Sequence, residues 1–246
     1  MKQDVYLYGR NPIRELLLRQ PQRIETLFLA QSAEPEFAPL AQKAKVHREP
    51  LPNNQFMRDL EGVVHQGVVA RVSMKNLVQD YPSFMNHLEA TPHTSLVLLN
   101  EISDPHNMGA IIRSAAAFGA AAVLIPTHNQ SPVTGTVVKA SAGMVFTVPL
   151  VAINNENQTI LDLKKRGFWI YGLAAEGKNE LAKENFDAPA VFVIGSEGEG
   201  LRKKTEEHCD ILLSIPMHLR CESLNASVSA GVVLAAWSAQ HKPALE

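Results

Sequence analysis

Cysteine is almost absent: Cys209 and Cys221 are the only two in 246 residues. That excludes a disulfide scaffold and any CxxC-type metal centre. The nine histidines form no HxH or HExxH pattern, so no metal site is expected. No apolar run approaches the ~18–20 residues that cross a bilayer. The stretch Met1–Tyr6 lacks the apolar segment of a secretory leader, so a cytoplasmic protein without a membrane partner is expected. Neither sign of charge dominates, with 23 Lys and Arg against 25 Asp and Glu and a net charge of −2. A protein that coats nucleic acid by bulk charge is thereby excluded, whereas a local basic face is not.

What remains is ordinary globular material, 46% hydrophobic and 20% charged, enough for one large domain or two smaller ones. Residues 1–72 read as strand, helix, strand, helix, strand, strand. Tyr8-Gly9-Arg10-Asn11-Pro12 is a turn in which Asn11 suits the N-cap and Pro12 the first helical position. Ile24–Leu29 is a short strand and Phe37–Lys45 a helix. Two valine pairs flank His65-Gln66-Gly67 between Gly62 and Val72, the pattern of a strand interrupted by a bulge or tight bend. Residues 73–94 read as a linker with a short helix over Ser83–Glu89. From residue 95 to 246 the pattern is α/β. Strands are expected at Leu96–Leu99, Ala121–Ile125, Thr147–Leu150, Phe168–Leu173, Ala190–Ile194 and Ile211–Ile215. Most are continuous apolar runs, as in a parallel sheet covered on both faces. Helices fit at Met108–Phe118, Gln158–Arg166, Lys203–His208 and Ala226–His241.

Three stretches follow strand ends, where open α/β sheets bind ligands. In the first, Asn100 to Gly119, Asp104-Pro105-His106-Asn107 is a strand-to-helix turn with Asn107 at or near the N-cap. Arg113 falls off the stripe formed by Met108, Ile111, Ala115 and Phe118, so it either is solvated or reaches a ligand. The second, Gly195-Ser196-Glu197-Gly198-Glu199-Gly200, is either a tight turn or a loop that lets a ligand approach backbone. Its spacing is neither a dinucleotide fingerprint nor a phosphate-binding loop, and two glutamates would repel phosphate. In the third, Ile215-Pro216 ends a strand, and Ser223, Leu224 and Asn225 open the last helix as a plain cap or as part of a site.

Together and in this order, the stretches resemble the three sequence motifs of the SpoU (TrmH) family of SPOUT RNA 2′-O-methyltransferases. The matching residues are Asn107, Gly109 and Arg113; Gly195, Glu197, Gly198 and Gly200; and Ser223, Leu224, Asn225, Ser227 and Val228. The segment 1–72 resembles the small L30e/L7Ae-like α/β RNA-binding domain that precedes this fold. Asp104-Pro105-His106-Asn107, Glu207-His208-Cys209-Asp210 and Ser214-Ile215-Pro216-Met217 are similar to the branch that methylates a guanosine ribose of 23S ribosomal RNA, in the peptidyl-transferase-centre P loop. The resemblance implies a parallel-sheet domain with a C-terminal trefoil knot, which no periodicity would suggest. It implies S-adenosylmethionine as cofactor, held at Gly195, Ile215 and Leu224 with Ser223 and Asn225. It implies a homodimer joined through the knotted domain. It places Arg113 at the reacting hydroxyl, with Asn107, Glu197, Ser223 and Asn225 as further catalytic residues, Glu197 holding Arg113 or a donor across the dimer. His218-Leu219-Arg220-Cys221-Glu222 is bulkier than the small Gly/Ser loop expected there.

Two other readings stay open, a tRNA 2′-O-methyltransferase and a non-catalytic RNA-binding assembly factor. Charge bears on the RNA partner: residues 1–72 carry ten Lys and Arg against eight Asp and Glu, the remainder thirteen against seventeen. Arg10, Arg14, Arg19 and Arg23 gather around the first helix and, with His65 and Gln66, form the expected RNA-binding face.

Overall fold

A computed structural model describes residues 4–52, 64–198 and 200–245. The first unit is a four-stranded sheet built from β1 (Asp4–Tyr8), β2 (Ile24–Leu29), β3 (Arg48–Pro50) and β4 (Val68–Ser73), in the order β1-β4-β2-β3. β4 runs antiparallel to both neighbours, and β3 is parallel to β2. Helices α1 (Arg10–Arg19) and α2 (Glu34–Ala44) pack on the face where Leu7, Leu27, Val68, Ala70 and Val72 point. Alternation sends Val69 and Phe28 to the opposite face.

Two local expectations change here. α1 is capped by Gly9, at φ 95°, with no side-chain cap, and Pro12 is its third residue, within the first turn. A proline is tolerated there because the first amides of a helix have no intrahelical partner. The bend at His65-Gln66-Gly67 is a tight turn, with Gln66 at φ 55° and Gly67 at φ 80°. The strand expected just before it includes Gly62 and Val63, which lie outside the described residues.

The second unit is an eight-stranded, all-parallel sheet in the order β10-β12-β9-β11-β6-β7-β8-β5. Its strands are β5 (Val78–Asp80), β6 (Ser95–Leu99), β7 (Ala122–Pro126), β8 (Leu150–Ile153), β9 (Trp169–Leu173), β10 (Asn179–Glu180), β11 (Ala190–Ile194) and β12 (Ile211–Ser214). β6, β7 and β11 are buried at every residue. Parity divides them between two cores. Val97, Leu99, Phe192 and Ile194 face α4 (Pro105–Ala117) and α8 (Ala226–Gln240). Leu96, Leu98, Val191 and Val193 face α6 (Glu156–Lys165). That is why these strands read as continuous rather than alternating apolar runs. α3 (Tyr81–His87), α5 (Gly135–Ala140) and α7 (Lys203–His208) complete the helices.

Residues 73–94 are therefore not a bare connection, since they supply an edge strand and a helix capped by Asp80. β8 starts three residues later than expected because Met144–Phe146 forms a 3-10 turn and Thr147 stays in the right-handed helical region. α4 begins at Pro105, with Asp104 as N-cap accepting from the His106 amide at 3.0 Å, so Asn107 lies inside the first turn. An Asp cap followed by proline at N1 is the stronger start signal. Among the described residues no helix is long and apolar enough to cross a membrane.

Candidate active site

Strand succession reverses between β6 and β11: β7 and β8 lie on one side of β6, and β9, β11 and β12 on the other. Such a reversal splays the loops at the carboxyl ends of the strands and opens a crevice between them. The loops after β6, β11 and β12 are the three stretches singled out in the sequence.

The loop after β11 closes on itself. Ser196 and Gly200 exchange backbone hydrogen bonds, each at 3.1 Å. A Cβ on Gly195 would lie 2.4 Å from the Gly200 carbonyl group, so only glycine permits the closure. The closure sets Glu197 on the loop. The loop after β12 ends at Asn225, the N-cap of α8. Its Oδ1 accepts from the amides of Ser227 at 2.9 Å and Val228 at 3.3 Å, and from the Ser227 hydroxyl at 2.6 Å. Those donors fix which way the amide faces. Its Nδ2 therefore turns outward, donating to Asn107 Oδ1 at 2.9 Å and to the Glu197 carboxylate. One capping side chain thus ties all three stretches together.

Beside this knot of bonds is a cavity of about 540 Å³. Its apolar wall includes Leu173, Ile194, Ile215 and Leu224. Glu176, Glu197, Glu206 and Glu222 also line it, with no lysine or arginine among the described residues. Such a pocket favours a cationic ligand with an apolar body and disfavours a phosphate.

Of the expected cofactor residues, Gly195, Ile215, Leu224 and Ser223 line the cavity, and Asn225 adjoins it through Glu197. Asn107 is buried at the same junction. Arg113 stands apart. It lies six residues along α4 from Asn107, roughly 9 Å along the axis, and does not line the cavity. It is exposed, with no ion pair or side-chain hydrogen bond among the described residues. Within the chain Glu197 is held by Asn225, not by Arg113.

The expected RNA-binding face is largely occupied by contacts within the chain. Arg10 and Arg14 both pair with Glu36, and Arg19 pairs with Glu15 at 2.9 Å. Arg23 donates to the carbonyls of Lys75 at 2.9 Å, Asn76 at 3.2 Å and Ser73 at 3.4 Å. Burial lowers its guanidinium from the ordinary value. His65 Nδ1 accepts from the Gly67 amide at 3.1 Å, and the Gln66 side chain accepts from the Arg10 amide at 3.2 Å. The turn and the start of α1 thereby brace each other.

Sequence reasoning missed a second cluster at this end of the sheet. Asn100, fully buried directly after β6, accepts from the Arg202 amide at 3.1 Å and donates to the Glu156 carboxylate. Arg202 also pairs with Glu101. The available signal was a polar residue ending an apolar run.

Comparison with known proteins places these features in a family. Residues 94–235 match the model of the SpoU rRNA Methylase family, and residues 6–78 match that of an RNA 2′-O ribose methyltransferase substrate-binding domain. The chain is 36% identical over 239 residues to the 23S rRNA (guanosine-2′-O-)-methyltransferase RlmB of Pseudomonas putida, covering 95% of this chain and 96% of that one. It is 38% identical over 234 residues to the protein of the same name from Photorhabdus laumondii, covering 93% and 95%. The fold is that of the SpoU methyltransferase AviRb from Streptomyces viridochromogenes, solved with AdoMet, at a TM-score of 0.78 and 23% identity over 98% of this chain and 91% of that one.

Proposed function

The chain belongs to the SpoU rRNA methylase family, and on that premise we propose that it transfers a methyl group from S-adenosylmethionine to the ribose 2′-oxygen of a guanosine in 23S ribosomal RNA. The observation that carries the reading is the acidic, apolar-walled cavity whose three bordering loops are tied together by Asn225. The donor is a sulfonium with an ammonium group and a flat apolar adenine, which suits four glutamates and no fixed cation. The cavity volume of about 540 Å³ falls within the range of small-molecule sites. Gly195, Ile215 and Leu224 would hold the adenosine portion through backbone groups, with Ser223 and Asn225 beside them. When bound, the cofactor supplies an electrophilic methyl group whose bond to sulfur breaks as the bond to the 2′-oxygen forms.

The chain's own task is alignment and management of the hydroxyl proton. Arg113 cannot be a base, because guanidinium stays protonated. Exposed and without an ion pair among the described residues, it is suited to grip an RNA phosphate and polarise the neighbouring 2′-hydroxyl, the proton leaving late to that phosphate or to water. Asn107 and Glu197, fixed by Asn225, hold the geometry of the site. Residues 1–72 form the RNA-recognition domain, with Arg10, Arg14, Arg19, Arg23, His65 and Gln66 on its RNA side. Two copies pack through α8, where Val228 and Val232 expose an apolar stripe, and through α4, so that the active site is shared. The segment after β12 is threaded as the trefoil knot. The enzyme works in the cytoplasm and uses no metal.

The test is methylation in vitro of 23S RNA fragments and of tRNA with labelled cofactor, followed by mapping of the modified ribose. A 2′-O-methylguanosine in the ribosomal fragment is expected. Labelling of tRNA alone, or of neither RNA, refutes the proposal. Arg113→Ala should abolish turnover and leave cofactor affinity unchanged, and retained methyl transfer would remove Arg113 from its assigned role.

A further inference from the structure

A second cavity, of about 350 Å³, opens at the same end of the sheet. It lies at the carboxyl ends of β7 and β8, between the loops that follow them and the start of α7. Residues 200–206 are the partition: Gly200, Leu201 and Glu206 line the first cavity, and Arg202, Lys203, Lys204 and Thr205 line the second. The two sides of this partition have opposite character. Among the described residues the first cavity carries four glutamates and no cation. The second carries Arg202, Lys203 and Lys204, together with His128, and is otherwise rich in asparagine amides, including Asn154 and Asn157.

Among the described residues Glu156 is the only carboxylate in its lining. That group is engaged by Asn100, and burial pushes its carboxyl above the ordinary value. Arg202 is pinned from outside by Glu101 and from below by Asn100. Lys203 and Lys204 are exposed and make no ion pair or side-chain hydrogen bond among the described residues. Both ammonium groups are therefore available to a ligand. In a segment whose net charge is negative (residues 73–246, thirteen Lys and Arg against seventeen Asp and Glu), this is a local inversion of sign. Two lysines beside neutral amide donors and acceptors, with Arg202 held by Glu101 at their side, make a site for an anion that also offers hydrogen-bonding edges.

We propose that this cavity binds the phosphodiester backbone of the RNA substrate flanking the nucleotide to be methylated, with Lys203 and Lys204 as the phosphate contacts. The inference rests on the RNA methyl-transfer reading above. It adds a substrate subsite separated from the methyl donor only by the partition. Its consequence is that RNA affinity depends on α7 as well as on the N-terminal domain.

The experiment uses the full chain, wild type and Lys203→Ala/Lys204→Ala, with a labelled 23S RNA fragment spanning the peptidyl-transferase-centre loop. RNA binding is followed by anisotropy without cofactor between about 50 and 200 mM salt. The slope of log affinity against log salt should become shallower by about 1 per lysine removed, about 2 in all. In methylation assays KM for RNA should rise roughly tenfold, with kcat at saturating RNA and cofactor affinity unchanged. Lys203→Glu/Lys204→Glu should weaken RNA binding further while leaving the melting temperature near wild type. An unchanged salt slope and KM in an otherwise active double variant overturns the subsite alone. A wild-type chain that methylates no ribosomal RNA overturns the underlying reading instead.

Discussion

Gly109 of α4 lies close against α5, and its replacement by alanine sets two well-measured effects against each other. In an isolated helix the change would stabilise by about 1 kcal/mol, because glycine is the poorer helix former. Here an added Cβ would lie 2.5 Å from Ala140 Cβ, 2.9 Å from the Val137 carbonyl oxygen and 3.0 Å from the Ser141 amide nitrogen. Two of those three neighbours are backbone and cannot rotate away, so α4 must move off α5. Overpacking of this kind costs about 1–3 kcal/mol, and backbone contacts place it at the upper end. The net expectation is a loss of about 2 kcal/mol, or roughly 4–8 °C in melting temperature for a chain of this size. Gly231 on α8 is the matched control. A Cβ there would rest 3.6 Å from the Ser114 hydroxyl, an ordinary contact, so Gly231→Ala should stabilise by up to about 1 kcal/mol. Thermal unfolding followed by circular dichroism at neutral pH compares the two. Opposite signs are expected. If both variants shift the midpoint upward, propensity alone decides and the α4–α5 approach is not as close as described. The approach matters beyond stability, because α4 carries Asn107 two residues before Gly109 and Arg113 four residues after it.

Other perturbations test other parts of the argument. Asn225→Ala removes the α8 cap and should cost about 1 kcal/mol by thermal melting. Asn225→Asp keeps the cap acceptor but turns a carboxylate on Glu197 and Asn107, so it should depress methyl-transfer rate more than its loss of stability explains. Arg23→Ala strips three loop carbonyls of their donor and should destabilise by about 2 kcal/mol, whereas Arg19→Ala, at an exposed pair, should stay within about 0.5 kcal/mol. His93 and His241 meet Nδ1 to Nδ1 at 3.0 Å, with His241 stacked on Trp237. Burial first, and the neighbouring His93 second, lower the His241 imidazole from its ordinary value. A folded-state value below the unfolded one means that stability is complete above about pH 6.5 and falls as pH drops below it. Melting temperatures between pH 7.5 and 5.5 should show this loss, and His93→Gln should reduce it; identical slopes in both proteins would remove the pair as its source.

What could be read from sequence follows from where each element's stability originates. β6, β7, β9, β11 and β12 announce themselves because burial on both faces demands unbroken apolar runs. The three loops that tie together at Asn225 announce themselves because Gly195, Asn107 and Asn225 occupy positions few other residues could fill. α5 does not. Thr136, Val137 and Val138 favour strands, and only packing of Val137 and Val138 into the core beside α4 makes that segment helical. β5 and β10, three and two exposed residues long, carry no apolar signal. The Asn100–Glu156–Arg202 cluster joins residues 56 and 102 positions apart, a pairing that no local pattern encodes.

Charge shows the same division between counting and placement. By composition the N-terminal arginines were the natural RNA contacts and the remainder of the chain the wrong sign. In the fold, Arg10, Arg14 and Arg19 are paired with glutamates, and Arg23 is committed to backbone carbonyls. Each such pair must be opened, or its charge shared, before it can neutralise a phosphate, which lowers the counterion release it contributes. Among the described residues Arg113 on α4, and Lys203 and Lys204 on α7, all in the other unit, make no ion pair or side-chain hydrogen bond. Lys203 and Lys204 stand across the partition from a negatively lined cavity that would repel RNA if it stood alone, and Arg113 lies farther along α4. An enzyme that joins a cationic donor to a polyanionic acceptor needs this arrangement. In the proposed reaction the acidic wall would keep phosphate out of the donor site, while the cations beyond it would hold the strand where a single hydroxyl can reach in.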